Sequence, residues 1–415
     1  MVRLVCRTIL CALIIQFACA DQFHNVNQIV GDRAIGLAGA YVAVSDDPSG
    51  MVYNPAGIAF ASSASISANV NTLQFNQIDY DDVLNGEYSY QRQSYQVLPN
   101  FFGVVQPLSK WKVGFYNAIV DSTQEKQDQS FENFGDIDRF VINLNNLATT
   151  YNVGPAAAFQ VSKQLSIGLA LPLHYRSTEL VSNQHIDFSA GADRVMEWQN
   201  VALKTNERGI RPKLGISYSP IRHFSFGFTL DHTIVFSAKQ TEQQSVCITD
   251  DTNVGCSVQV NPRIETYSDI PKYPFQIVIG GAWFPSNSFL LSADVTFNTP
   301  VDQTTTAFAN REMTLDAAIG TEWYWDPQWA LRSGAFTSMA NTPILNNTDL
   351  LQNEHIDRYG GSLSIARFNK GSSISVGVLA QYGTGKAQLF GDLAGQLQEV
   401  SSFDMVGFFT TSYRY

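Results

Sequence analysis

From Ser65 to the final Tyr415 the chain repeats one pattern: strand-length runs in which apolar and polar residues alternate, joined by connections that are short and long by turns. In one run Ile167, Leu169, Leu171, Leu173 and Tyr175 alternate with Gly168, Ala170, Pro172, His174 and Arg176. In another, Phe224, Phe226, Phe228 and Leu230 alternate with Ser225, Gly227, Thr229 and Asp231. Phe289 to Phe297 and Ile374 to Tyr382 repeat the theme. A period of two puts each apolar set on one face of a sheet. Short turns at 107–110, 162–164, 219–222, 285–287, 326–328 and 369–371 alternate with long polar stretches near 76–92, 122–148, 181–208, 240–269, 299–310, 340–355 and 386–400. A sandwich or propeller has no reason to alternate loop lengths so regularly. A sheet threaded through a bilayer does, with short turns on one side and long loops on the other. The pattern predicts an all-β fold, a transmembrane antiparallel β-barrel of about 14 strands with both ends on the short-turn side.

Composition fits that reading. Charged residues make up only 15% of the chain, against about 25% in ordinary globular domains. Aromatics reach 12%. Trp283, Trp323 and Trp325 fall on the outward register beside short turns, where a periplasmic girdle belongs. The last run sets Phe403, Met405, Phe409 and Tyr413 on one face and ends on an aromatic residue, the usual address for the barrel-assembly machinery of Gram-negative bacteria.

Residues 1–20 read as a secretory signal: Arg3 and Arg7 begin it, Thr8 to Phe17 form a short apolar run, and Ala18-Cys19-Ala20 fits a small-x-small cleavage site. A lipoprotein signal cut before Cys19 is the alternative, but Gln16 and Phe17 are poor residues at that junction. A helical membrane anchor needs roughly 20 apolar residues. Losing the signal removes two arginines and takes the net charge from -11 to -13. Such acidity, with no basic stripe, argues against nucleic acid. Three cysteines leave with the signal. The remaining Cys247 and Cys256, in SVCITDDTNVGCSV, are expected to form a disulfide in an oxidising periplasm. Metal-bound thiolates are the alternative, but no nearby His or Cys completes the four ligands zinc wants.

Residues 21–63 break the alternation. Gly31, Gly36, Gly39, Gly50 and Gly57, with alanines between them, permit close packing, and Asp47-Pro48 and Asn54-Pro55 each pair a helix-capping residue with proline at a first helical position. A barrel of this size has a lumen its own side chains cannot fill. A folded N-terminal segment would fill it. The expected domains are therefore a signal at 1–20, a lumenal hatch at 21–63 and the barrel at 64–415.

GLAGAYVAVSDDPSGMVYNPAGIA resembles the N-terminal hatch of the long-chain fatty acid and hydrocarbon transporters of outer membranes, the FadL-type family. Leu98 to Val120, Lys163 to Arg176, Leu315 to Phe336 and Arg358 to Tyr382 are similar to that family in spacing and turn placement. The resemblance implies passive transport of long-chain fatty acids or similar hydrophobic molecules across the outer membrane of a Gram-negative cell, with both termini periplasmic. It implies no cofactor, and contact with outer-membrane lipid and lipopolysaccharide. Gly36, Gly39, Asp46, Asp47, Asn54, Pro55 and Ala56 would shape the hatch, with the chain from Asp21 to Gly36 as its mobile part. Release would be sideways, through a gap in the third strand, for which Asn117 is the candidate because it interrupts the lipid register of Val113, Phe115 and Ile119; a tolerated polar residue near the interface is the alternative.

A fatty-acid carboxylate needs a lumenal cation. His174, Arg176, Arg211, Lys213 and Arg332 point inward on the strand register, with Arg176 favoured and Lys213 second. Lumenal arginines also pair with lumenal acids such as Asp231, Asp294, Asp316 or Glu322, and if every cation is paired a neutral substrate is favoured. Enzyme readings find no support: the six histidines show no metal spacing, and Gly383-Thr384-Gly385-Lys386 lacks the rest of a phosphate loop. The rival readings are a related barrel acting as a shuttle for secreted proteins and a general porin.

Overall fold

The computed structural model describes residues 23–25, 28–61, 63–83, 88–190, 192, 195–250, 255–305, 308–349, 352–388 and 397–415. The expected signal at 1–20 lies outside them.

The wall begins with four unbroken strands, β1 (Ser65–Asp82), β2 (Tyr88–Leu108), β3 (Trp111–Phe134) and β4 (Ile137–Gln160). The next four each come in two pieces: β5 (Leu165–Ala170) with β6 (Leu173–Phe188), β7 (Met196–Ile210) with β8 (Lys213–Ile221), β9 (Phe224–His232) with β10 (Ile234–Thr249), and β11 (Val258–Tyr267) with β12 (Phe275–Ser286). β13 (Phe289–Asn298), β14 (Thr314–Asp326), β15 (Trp329–Ser338), β16 (His355–Phe368), β17 (Ser372–Ala387) and β18 (Gln398–Arg414) complete the circuit. Counting each broken pair once turns the 18-stranded sheet into 14 wall strands (18 minus 4). β18 pairs antiparallel with β1, Ser65 opposite Arg414, so the ring closes and has no free edge.

The breaks fall where proline removes a donor from the ladder. Pro172, Pro212 and the pair Pro271 and Pro274 stand in three of them. Single bonds carry the wall across: the Leu171, Arg211 and His232 amides donate to the carbonyls of Pro155, Pro172 and Pro212 at 3.0, 3.0 and 3.3 Å.

Four of the stretches expected as long loops, 76–92, 122–148, 181–208 and 240–269, are mostly strand. The β3–β4 ladder, for instance, runs on to Phe134 opposite Ile137. Beyond the bilayer neither face meets lipid, so the backbone keeps its period of two while the apolar–polar contrast disappears. At the other end Trp111, Trp283, Trp323 and Trp325 stand about half-exposed beside the short turns. The Cys247 and Cys256 sulfurs are bonded, with Cα atoms 5.2 Å apart, near the tip of the β10–β11 hairpin.

The N-terminal segment forms α1 (Asp32–Gly36), α2 (Gly50–Tyr53) and a 3-10 helix (Pro55–Phe60). α1 packs on β15 to β18 and β1, and the 3-10 helix packs on β3, β4, β5 and β8. Val42, between them, meets Gly227 and Gly280 on β9 and β12. A segment that touches strands around the whole of a closed ring lies inside it. Small residues admit it: a Cβ at Gly168 would overlap the backbone of Pro55 and Ala56, and one at Gly215 the Asn54 side chain.

A chain of charges, buried except at Asp46, fixes this plug to the wall. Arg33 on α1 contacts Asp46 at 3.0 Å and Glu322 on β14 at 2.6 Å. Glu322 also binds Arg332 on β15 at 2.7 Å, and Arg332 returns to Asp32 on α1 at 2.9 Å. Burial opposes the charge on Arg33, but Glu322 and Asp46 overcome it and raise its pKa well above the ordinary value. Glu322→Ala leaves two arginines buried without their shared partner, and removing one member of a buried pair typically costs about 3–5 kcal/mol. The variant is expected to lose its heat-resistant gel mobility at lower urea than wild type. An unchanged midpoint would show that the charge chain contributes no net stability.

Candidate functional site

Above the plug lies a cavity of ≈ 210 Å³. Its floor is the plug itself, through Ile29, Val42, Val52 and Tyr53. Its walls come from inward registers around the ring, with Tyr116, Thr150, Asp294 and Asp316 on the unbroken β3, β4, β13 and β14 and His174, Lys213 and Asp231 on the broken strands, and several of these side chains are charged. Arg211 Nε lies 2.8 Å from Asp231 Oδ1, and Lys213 Nζ lies 2.8 Å from Asp231 Oδ2. Lys213 also donates to the Val52 carbonyl at 2.7 Å, which ties the cluster to α2. Arg211 and Lys213 share a face because they flank the Pro212 break, and Asp231 stands directly opposite Lys213 in the β8–β9 ladder.

Two cations on one carboxylate leave this cluster with a surplus positive charge. Arg176 stands differently, 3.8 Å from Asp121 and directly across the β6–β7 ladder from Glu207. His174 sits 3.3 Å from Asn152 Oδ1 and 4.0 Å from Glu207. Of the five candidate head-group residues, His174, Arg176, Arg211 and Lys213 line the cavity together. Arg332 is instead part of the charge chain under α1. Among the described residues Asp294 pairs with no cation; it accepts the Tyr41 and Val42 amides at 2.7 and 2.8 Å and holds the plug.

Tyr273 and Arg311 were not among the expected residues. Tyr273 donates its hydroxyl to Glu207 at 2.7 Å, and the Arg311 guanidinium lies 4.8 Å over its ring. The one signal for Tyr273 is its place in Pro271-Lys272-Tyr273-Pro274, where a strand cannot stay paired. Arg311 lies in an irregular connection and gave no periodic signal.

The hatch motif is a packing device. Asn54 accepts the Ala56 amide at 3.1 Å, capping the helix that Pro55 begins, and donates to the carbonyls of Val42 at 2.9 Å and Ile216 at 3.0 Å. The Ala56 carbonyl accepts Ser166 Oγ at 2.8 Å. Asp47 accepts the Ser49 amide at 2.7 Å, and burial raises its carboxyl above the ordinary range. Gly39 has φ 86, a left-handed turn that glycine adopts without strain. Gly36 packs against Arg332 and Ser364 with no room for a Cβ.

Asn117 is exposed on the outer face and paired on both sides, with Phe102 and with Val153. The next residue, Ala118 opposite Phe101, is the last pair between β2 and β3. A register shift between Ile119 and Asp121 follows at once. Above it the two strands are linked by side chains: Gln96 donates to the Ser122 carbonyl at 3.0 Å, and Arg92 meets Glu125 at 2.6 Å. Behind this seam lies a second cavity of ≈ 100 Å³, lined by Arg92, Ser94, Ser122 and Thr123. Gln28 and Ile29 line both cavities and separate them.

The family model described as outer membrane protein transport protein (OMPP1/FadL/TodX) matches residues 11–378. The chain belongs to the FadL/TodX family. Its members are outer-membrane transport proteins rather than enzymes, and the outer membrane is where this barrel resides. Among solved structures, a FadL homologue from Pseudomonas aeruginosa superposes with a TM-score of 0.65 at 16% identity, covering 94% of this chain and 99% of that one. The toluene transporter TodX from Pseudomonas putida gives 0.65 at 14% identity, with 94% and 99% covered. CymD, a monoaromatic hydrocarbon channel, gives 0.60 at 14%, with 93% and 97% covered. These likenesses carry the fold. No curated protein sequence matches the chain significantly.

Because Gly168 has plug backbone against its Cα, Gly168→Ala must displace the 3-10 helix. The variant is expected to show ion conductance in planar bilayers where wild type shows almost none. A closed Gly168→Ala barrel would mean that the helix shifts without loss of the seal.

Proposed function

We propose that this barrel takes up hydrophobic small molecules that carry an anionic head group, long-chain fatty acids being the natural class, by passive passage through the plugged lumen. TodX and CymD are described as handling toluene and monoaromatic hydrocarbons, and that supports the apolar part of the reading. The head group is argued from this chain alone. The observation that carries it is the Arg211–Asp231–Lys213 cluster, where two cations meet one carboxylate on the cavity wall. A bound carboxylate would balance the surplus charge.

Arg176 is the weaker anchor, since Asp121 and Glu207 already stand beside it. On this reading both termini lie in the periplasm, with the short turns, and the long hairpins reach outward. Passage runs from the cavity past Gln28 and Ile29 to the second cavity, and out between β2 and β3 where their ladder has ended. No energy source is required, so affinity must stay modest enough for release. Porin behaviour fits poorly with a lumen filled by a folded segment.

Lys213→Met tests the head group without leaving an acid alone, because Asp231 keeps Arg211. A hydrogen bond to a charged group is worth about 1.5–3 kcal/mol, so fatty-acid uptake at limiting concentration is expected to fall by about tenfold or more. The assay is growth and uptake in a host without its own fatty-acid transporter, with toluene uptake as the parallel measurement. Toluene uptake is expected to stay unchanged. Fatty-acid uptake unaffected by Lys213→Met would rule out the anionic anchor and favour neutral substrates. A folded wild-type barrel that moves neither compound would defeat the transport reading itself.

A further inference from the structure

The outward face of the wall changes chemistry within three successive rows. Val153, Leu173, Ile210 and Ile234 stand side by side on β4, β6, β7 and β10. The next row out is Tyr151, Tyr175, Arg208 and Ser237, and the one after it Thr149, Ser177, Asn206 and Lys239. An apolar row, a row with two tyrosines and a polar row mark the edge of the apolar band, where amphipathic rings belong. Arg208 and Lys239 sit at that edge, and both are exposed. They are diagonal neighbours in the ladder, a relation that sets residues of one face about 7–8 Å apart. Neither has an acidic partner among the described residues, whereas the next cation out on β7, Lys204, lies 3.7 Å from Glu179.

Beside these cations the backbone itself is unpaired. The ladder between the seventh and eighth wall strands stops at His232 opposite Phe275 and resumes only at Gln240 opposite Tyr267. Ile234 to Lys239 stay paired with β7, around a bulge at Phe236, and form no ladder with residues 268–274. Pro271 and Pro274 have no amide hydrogen to donate, and Tyr273 turns inward to Glu207. Alternate residues of an antiparallel strand direct their N–H and C=O groups to either side. Part of the β10 backbone therefore faces this interval, at the lipid edge, with no ladder partner. The far bank alternates Ser268, Ile270 and Lys272, all exposed, with Asp269 as the one acid of the run. Lys272 Nζ lies 3.3 Å from the Asp302 carbonyl. Below the cations, Ile234, Phe236 and Phe275 are exposed as an apolar strip.

We propose that this patch holds a lipopolysaccharide molecule of the outer leaflet by its phosphorylated lipid A head group. Arg208 and Lys239, with Lys272 across the interval, meet the phosphate oxygens, since a charge-assisted hydrogen bond is about twice as strong as a neutral one. Ser237, Ser268 and the unpaired backbone groups of β10 meet the sugar hydroxyls. The acyl chains lie on Ile234, Phe236 and Phe275. Charge complementarity selects this occupant: on an acidic chain, three cations against Asp269 form a local surplus of positive charge. Cations spread over one patch suit a head group with more than one phosphate, which phosphatidylglycerol lacks. Backbone groups facing lipid also need partners, and the head group supplies them where no strand does. The proposal goes beyond transport and rests on the short turns facing the periplasm, which puts this edge in the outer leaflet.

The test titrates the purified barrel in detergent with lipopolysaccharide, with lipopolysaccharide stripped of its lipid A phosphates, and with phosphatidylglycerol. Native mass spectrometry counts the bound lipid. Wild type is expected to retain intact lipopolysaccharide in preference to the other two. Arg208→Gln combined with Lys239→Gln is expected to weaken that binding by about thirtyfold, from about 1 kcal/mol per basic residue at a charged membrane surface. The exchange Arg208→Lys with Lys239→Arg keeps both charges and is expected to keep most of the binding. Heat-modifiable migration checks assembly, and if the double Gln variant does not assemble, Lys239→Gln alone, with about a fivefold loss, decides. Equal lipopolysaccharide binding by wild type and the Gln variants would overturn the site. So would equal retention of the phosphate-stripped lipid, or of phosphatidylglycerol. Binding is read without transport, so this outcome and that of the Lys213→Met uptake comparison are independent.

Discussion

A sheet in a bilayer cannot leave its backbone donors and acceptors unpaired where no water reaches them. Everything else here depends on that constraint, which the β1–β18 pairing meets by closing the ring. A closed ring of 14 strands then creates a second problem, a lumen too wide for side chains to fill. The plug answers it, and can do so only because the wall carries glycines where the plug backbone presses closest. Gly168, Gly215, Gly227 and Gly280 lie on four neighbouring strands of the wall, β5, β8, β9 and β12, and each faces the same short stretch from Val42 to Ala56.

The same constraint gives meaning to the places where pairing fails. Side chains replace the ladder between β2 and β3, and an inward-turned tyrosine fills the interval beside β10. Each lies against a cavity. At these places the wall is closed by side chains rather than by paired backbone. Charge follows a matching division: the chain through Glu322 is deeply buried and holds the plug, while the cluster at Asp231 faces the cavity with a cation in excess.

Much of the fold was legible in the residues. The strand count, the short turns and the burial of a glycine-rich leader all follow from periodicity and from what fourteen strands enclose. The extent of the strands was not legible. Residues 122–148 read as loop because β3 and β4 beyond the bilayer have two polar faces, and hydrophobic alternation reports lipid rather than backbone pairing. The same limit hid the β10–β11 hairpin. Prolines at 172, 212, 271 and 274 were visible as ladder-breakers, but not that their breaks would gather around one cavity.

The candidate site divides in the same way. Inward register picked out His174, Arg176, Arg211, Lys213 and Arg332, because a period of two decides which face a residue takes. Partnership is decided across the lumen by residues far away in sequence. Arg332 lies 300 residues from Asp32 and yet is bound to it, which removes it from the cavity. Lys213 faces Asp231 through the register of a neighbouring strand and Val52 through the plug. The sequence by itself thus determined that the chain is a plugged barrel and which cations face inward, since both follow from local period and bilayer physics. Only the tertiary structure decided which of those cations hold the plug and which stand at the cavity, because charge balance is set by neighbours that closure of the ring brings together.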